Sequence, residues 1–113
     1  MAKYLISFDE GTMIFPDEDL LDVTEAALKV VREARDAGVW VFSAGLKPRQ
    51  QASIVATDGT ITDGPYPETK ELIGGFAVVE VPSRQEALEW AAKIAAACRC
   101  AQEVRELVPD PAE

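Results

Sequence analysis

Gly75-Phe76-Ala77-Val78-Val79-Glu80-Val81-Pro82-Ser83-Arg84-Gln85-Glu86-Ala87-Leu88-Glu89-Trp90-Ala91 changes secondary structure within a few residues. The run 75–81 is apolar but for Glu80 and reads as a strand. Pro82 closes it. Ser83-Arg84-Gln85-Glu86 is an S-x-x-E capping box, in which the serine hydroxyl and the glutamate satisfy orphan N–H groups, so a helix starts there. Ala87, Leu88, Ala91, Ile94, Ala95 and Cys98 then fall on one stripe at helical spacing. Alanine dominates that stripe, so the helix should lie close to whatever it covers.

The same grammar repeats upstream. Residues 3–8 read as a strand, with Tyr4, Ile6 and Phe8 alternating with Lys3, Leu5 and Ser7, and Asp9-Glu10-Gly11-Thr12 ends it with turn chemistry. Residues 19–37 read as a helix with Leu20, Val23, Ala27, Val30, Val31 and Ala34 on one face. Asp17, Glu18, Asp19 and Asp22 crowd its start, where the macrodipole favours negative charge. Gly38 supplies the left-handed residue after its end. A strand follows over 39–45, then a polar connection, then a hairpin in which Asp58-Gly59 predicts a type I′ turn. A last strand is predicted over 101–108. The order is β-α-β-hairpin-β-α-β. It predicts an α+β, ferredoxin-like subunit of βαββαβ type with an extra β-hairpin: one antiparallel sheet with both helices on one face. The other face would carry Tyr4, Phe8, Trp40, Phe42 and Phe76, too apolar to stay wet, so a symmetric homodimer is expected to cover it.

A length of 113 residues means a single domain, 1–113. The formal net charge is −9. That disfavours phosphate-backbone binding and anionic membrane surfaces, so no nucleic-acid and no membrane partner is expected. No apolar run approaches the roughly 20 residues a membrane helix needs. The start lacks signal-peptide character, so the cytoplasm is the expected compartment. Cys98 and Cys100 form a C-x-C, poor for an intrachain disulfide. There is no histidine, which removes Ser-His-Asp and Cys-His catalysis. No metal and no cofactor is expected.

Chemistry concentrates in Asp63-Gly64-Pro65-Tyr66-Pro67-Glu68-Thr69-Lys70-Glu71, a corner stiffened by two prolines after the hairpin. Asp63 sits before the Gly-Pro turn, either as a general base or as the acceptor of an Asx-turn. Lys70 can hold an anionic substrate while Asp63 or Glu68 moves a proton; the alternative is a solvated loop with loosely paired charges. Asp63 and Lys70 are thus the candidate catalytic pair. Arg49, Gly64, Pro65, Tyr66, Glu68 and Trp90 are the candidate ligand contacts. Lys47 and Arg49 can close an anion site with Lys70, Arg through its bidentate fork, or simply lie on the surface. Trp90 either half-covers a pocket or only packs. Gly74-Gly75 lacks phosphate-loop spacing and leads into a strand, so it reads as a place of close chain approach.

Asp63-Gly64-Pro65-Tyr66, Glu68-Thr69-Lys70-Glu71, Gly74-Gly75-Phe76, Glu86-Ala87-Leu88-Glu89-Trp90-Ala91 and Glu103-Val104-Arg105 together resemble the YCII-related proteins, in particular the subgroup with a D-G-P-F motif. The resemblance runs over nearly the whole chain and implies a dimeric α+β barrel with a pocket in each subunit, between sheet and helices or near the dimer seam. It implies no settled reaction. Some relatives look like enzymes that use a His-Asp pair for ring chemistry, which this chain cannot assemble without a histidine. Tyr66 replaces the usual phenylalanine, and the segment 94–102 departs from the usual proline-containing pattern, which predicts a longer last helix. The expected function is binding of a small molecule near the 63–71 loop, with acid–base chemistry of isomerase or lyase type. The alternative is a non-enzymatic accessory protein that acts with an extracytoplasmic-function sigma factor, since members of this subgroup are often encoded beside one.

Overall fold

The computed structural model describes residues 1–64 and 72–110. Its elements are β1 (Ala2–Asp9), α1 (Leu20–Asp36), β2 (Trp40–Gly45), β3 (Ser53–Val55), β4 (Ile61–Asp63), β5 (Ile73–Val81), α2 (Arg84–Cys98) and β6 (Glu103–Glu106), with single 3-10 turns at Asp17–Asp19 and Arg49–Gln51. The main sheet has the order β2-β5-β1-β6, and every neighbour is antiparallel. This is the ferredoxin-like arrangement, with β1 and β5 at the centre.

The core lies between this sheet and the helices. Tyr4, Ile6, Val79, Val81, Ala87 and Ala91 form its buried centre, and Trp40, Trp90, Ile94 and Val104 pack around it. Ile6, Val79 and Val81 are wholly buried, and each contributes roughly 1.5–3 kcal/mol of hydrophobic stabilisation. Alanines on α2 let it sit low on the sheet. One charged pair links the helices, with Lys93 Nζ 3.1 Å from Glu33 Oε2, and a second joins the residues that flank them, with Arg99 Nη1 2.7 Å from Asp19 Oδ2.

Helix ends follow local chemistry. The Ser83 hydroxyl accepts the Glu86 N–H at 3.2 Å. Gly38 adopts φ 76°, and the Val39 N–H closes on the Ala34 carbonyl at 3.1 Å, a Schellman stop. α2 stops at Cys98. Arg99 turns left-handed at φ 59°, and the Cys100 N–H returns to the Ala95 carbonyl, so a Schellman-type closure forms without proline or glycine. β6 is also shorter than the expected 101–108: its ladder with β1 covers Tyr4, Leu5, Ile6 and Ser7, and one further hydrogen bond, from the Leu107 N–H to the Lys3 carbonyl at 2.8 Å, follows it.

Two expectations are corrected. Tyr4, Phe8 and Trp40 do not face the open side of the sheet. Tyr4 and Phe8 stand opposite Val79 and Gly75 on the helix side, and Trp40 joins the same core. A bulge between Trp40 and Phe42 inserts one residue into β2, which reverses its alternation so that Phe42 turns to the open face. There it meets Phe76 edge to face, with ring centroids 5.5 Å apart. The hairpin turn is also not type I′. Gly59 takes φ 89° and Asp58 is not at positive φ. The Gly59 N–H reaches the Ala56 carbonyl at 2.9 Å, and the Ala56 N–H reaches the Thr60 carbonyl at 2.8 Å. This is the three-residue loop with glycine in the left-handed position. Thr60 is held by the Asp58 carboxylate, whose pKa is lowered first by the Thr60 side chain and then by its backbone N–H.

The β3–β4 ribbon forms a separate sheet. The radius of gyration is 15.9 Å, against about 13 Å for a compact chain of this size.

Candidate functional site

Three segments meet at one end of the main sheet, where β1 and β2 finish and β5 begins. Gly74 permits the meeting: a Cβ there would lie 2.9 Å from the Glu10 Cα, so any other residue would push the end of β1 away. The Glu10 N–H donates to the Leu72 carbonyl at 2.6 Å, and the Leu46 N–H to the Gly74 carbonyl at 2.9 Å. The chain leaving β2 then turns at Pro48 into the 3-10 turn, and the Arg49 N–H donates to Glu10 Oε2 at 3.0 Å. Glu10 thus joins β1, the approach to β5 and the 46–52 connection through its backbone and its carboxylate.

These contacts enclose a groove of about 350 Å³ lined by Glu10, Lys47, Arg49, Gln51, Ala52 and Leu72, among others. The described residues on either side of 65–71 are tied to its walls. The Gly64 N–H donates to the Ala52 carbonyl, and Leu72 accepts from Glu10. The groove therefore sets a carboxylate and two cationic side chains around one concavity.

The sequence-predicted site residues distribute unevenly. Arg49 and Lys47 line the groove. Gly64 takes φ 84° at its margin. Asp63 is exposed at the end of β4, paired with Ser53 across the ribbon, and its Oδ1 accepts the Ser53 hydroxyl at 3.3 Å. It is not one of the groove-lining residues. Trp90 is half-buried on α2 and lines neither cavity: it packs on the core, with Lys93 Nζ 4.9 Å from its ring centroid. Pro65, Tyr66, Glu68 and Lys70 lie outside the described residues. Glu10 escaped the sequence reading because Asp9-Glu10-Gly11-Thr12 looks like a plain strand-ending turn. The only available signal was its position at the end of a central strand, where antiparallel neighbours bring other loops.

A second cavity, of about 200 Å³, lies at the same end of the sheet but on its helix side, walled by Ile6, Phe8, Val30, Trp40, Ile94 and Ala97 and edged by Cys98 and Gln102. The Cys98 thiol is pushed up in pKa by burial and, second, by Cys100. The Gln102 amide donates to the Cys100 carbonyl at 3.3 Å and contacts its sulfur at 3.4 Å. Among the described residues no three acidic or cysteine side chains gather as a metal site, and no helix is long and apolar enough to cross a membrane.

The family model of the YCII-related domain matches residues 3–109. No curated protein sequence matches. Among solved structures, the fold is similar to 5-chloro-2-hydroxyhydroquinone dehydrochlorinase (TftG) from Burkholderia phenoliruptrix AC1100, in complex with 2,5-dihydroxybenzoquinone. The two share 14% identity over 96% of this chain and 94% of that one, with a TM-score of 0.51. At that identity the likeness is one of fold.

Proposed function

We propose that this chain, which belongs to the YCII-related family, is a cytoplasmic homodimer that binds a small molecule in the charged groove at the end of its sheet and carries out acid–base chemistry of isomerase or lyase type there. The observation that carries this reading is Glu10, a carboxylate held by the Arg49 N–H inside a concavity that also presents Lys47 and Arg49. Proton shifts next to a carbonyl or ring oxygen need a positioned base and a cation that stabilises the developing negative charge. Glu10 supplies the first and Lys47 or Arg49 the second. Asp63, Gly64, Tyr66, Glu68 and Lys70 are the further candidate residues in this reading, and the Asp63-Gly64-Pro65-Tyr66 run supports membership of the D-G-P-F subgroup.

Two things support the dimer: the open sheet face carries Phe42 and Phe76 in contact, with Phe42 51% exposed, and the ribbon carries Val55 and Ile61 at 65% and 67% exposure. Apolar side chains grouped in this way favour a second copy over water.

The test is a thermal-shift screen of small carboxylates, phenols and ketones on the wild type, Glu10→Gln and Asp63→Ala. A compound that stabilises the wild type should lose its effect in Glu10→Gln and weaken in Asp63→Ala. Hits that stabilise all three proteins equally would refute the groove as the site.

A further inference from the structure

We infer that the charged groove takes a monocarboxylate carrying an apolar chain, a short fatty acid in chemical class, with its head at Lys47 and its chain over Leu46, Leu72 and Ile73. This rests on the groove being the site proposed above and adds the class of molecule. Charge comes first. Two cations, Lys47 and Arg49, line the groove against one carboxylate, Glu10. The wall thus carries a local positive excess in a chain whose net charge is −9. Glu10 already accepts the Arg49 N–H, while the Lys47 ammonium has no ion pair among the described residues. A single negative charge on the ligand balances this set. A cation would meet two like charges, and a neutral molecule would leave the ammonium without a charged partner.

The rest of the wall decides what the carboxylate is attached to. Leu46, Pro48, Leu72 and Ile73 line the same groove. Leu46 is 53% and Ile73 41% exposed, although one directly follows β2 and the other opens β5. The Leu46 N–H donates to the Gly74 carbonyl at 2.9 Å, so these two strand ends are fixed side by side before any ligand arrives. Wet apolar side chains on a fixed backbone gain by being covered, and little ordering opposes it. Size sets the length. The groove measures about 350 Å³, against the roughly 150 Å³ that accommodates the six carbons of benzene. A molecule of roughly ten non-hydrogen atoms, about that of an eight-carbon acid, therefore fits on the same scale.

The experiment measures Kd by titration calorimetry for butyrate, hexanoate, octanoate and dodecanoate, with 1-hexanol and hexylammonium as probes of the head. Each added CH₂ should tighten binding about two- to fourfold up to octanoate, with little further gain to dodecanoate. 1-Hexanol should bind about tenfold more weakly than hexanoate, and hexylammonium more weakly still. Lys47→Gln should weaken hexanoate about tenfold and leave 1-hexanol unchanged. Leu46→Ser and Ile73→Thr should each flatten the dependence on chain length. Val55→Ser, at an equally exposed apolar position outside the groove, should change nothing, which excludes non-specific adsorption. Equal affinity for hexanoate and 1-hexanol, or an unchanged chain-length dependence in both Leu46→Ser and Ile73→Thr, would overturn the inference. A phenol or ketone that needs Glu10 while none of the acids binds would overturn the fatty-acid class and leave the groove reading standing. Hits indifferent to Glu10→Gln, Asp63→Ala and Lys47→Gln alike would sink both.

Discussion

Gly75→Ala tests how the sheet end is built. Gly75 has no positive φ, so alanine suffers no backbone strain there, and the issue is space. The added Cβ meets Phe8 Cε1 and Cζ at 2.7 Å each, about 1 Å inside ordinary contact distance. Two effects oppose each other. Alanine restricts the unfolded chain more than glycine does, which favours the fold by about 0.5–1 kcal/mol. Overpacking against the Phe8 ring costs about 1–3 kcal/mol. Overpacking wins because at 2.7 Å the ring must shift, and moving toward the adjoining cavity takes it off its preferred rotamer and away from the strand it packs on. We expect a net loss of about 1–2 kcal/mol, seen as a fall in Tm of about 4–8 °C in thermal denaturation followed by circular dichroism. Phe8→Leu removes the ring edge, so adding Gly75→Ala to it should cost nothing, and a double-mutant cycle should return a coupling of about 1–2 kcal/mol. A Gly75→Ala protein as stable as the wild type, with no coupling to Phe8, would refute the close-approach argument.

Ser83→Ala removes the acceptor for the Glu86 N–H and should cost about 1 kcal/mol in urea denaturation, with Ser83→Asp restoring most of it. The Cys98 thiol has a folded pKa above its ordinary value of 9.0, so the fold holds that proton more tightly than the unfolded chain does. Its contribution is complete below about pH 9 and is lost as pH rises through the folded pKa. Urea midpoints at about pH 8 and 10.5 should therefore fall less steeply in Cys98→Ala than in the wild type. The Tyr4 phenol, raised by burial and by Glu106, acts in the same direction above pH 10, so Tyr4→Phe should flatten what remains of the alkaline slope.

Much of the fold was legible because it is written in local periodicity. The S-x-x-E cap, the Gly38 stop and the strand-helix alternation each depend on residues within one or two turns of one another. The errors share a different origin. Phe42 and Trp40 were placed on one face because strict alternation puts them there, and the bulge that separates them is a response of β2 to the register of β5. The hairpin turn was misread because Asp58-Gly59 fits both a two-residue loop with positive φ at each residue and a three-residue loop with positive φ at the glycine alone, and the end of β6 depends on its pairing with β1, which local sequence does not show. At the site, Arg49 and Lys47 were found by residue type, while Glu10 was hidden in a turn.

Chain order, helix positions, the apolar character of the central strands and the absence of histidine chemistry follow from the amino acids alone, since each rests on near neighbours or on composition. Which charged groups share a concavity is a long-range matter. Glu10, Arg49 and Leu72 come together only because antiparallel pairing brings the end of β1 beside the start of β5, and Gly74 lets the backbones touch. The cavity on the helix side is likewise a product of packing, because its volume depends on how closely α1 and α2 approach the sheet over alanine and glycine.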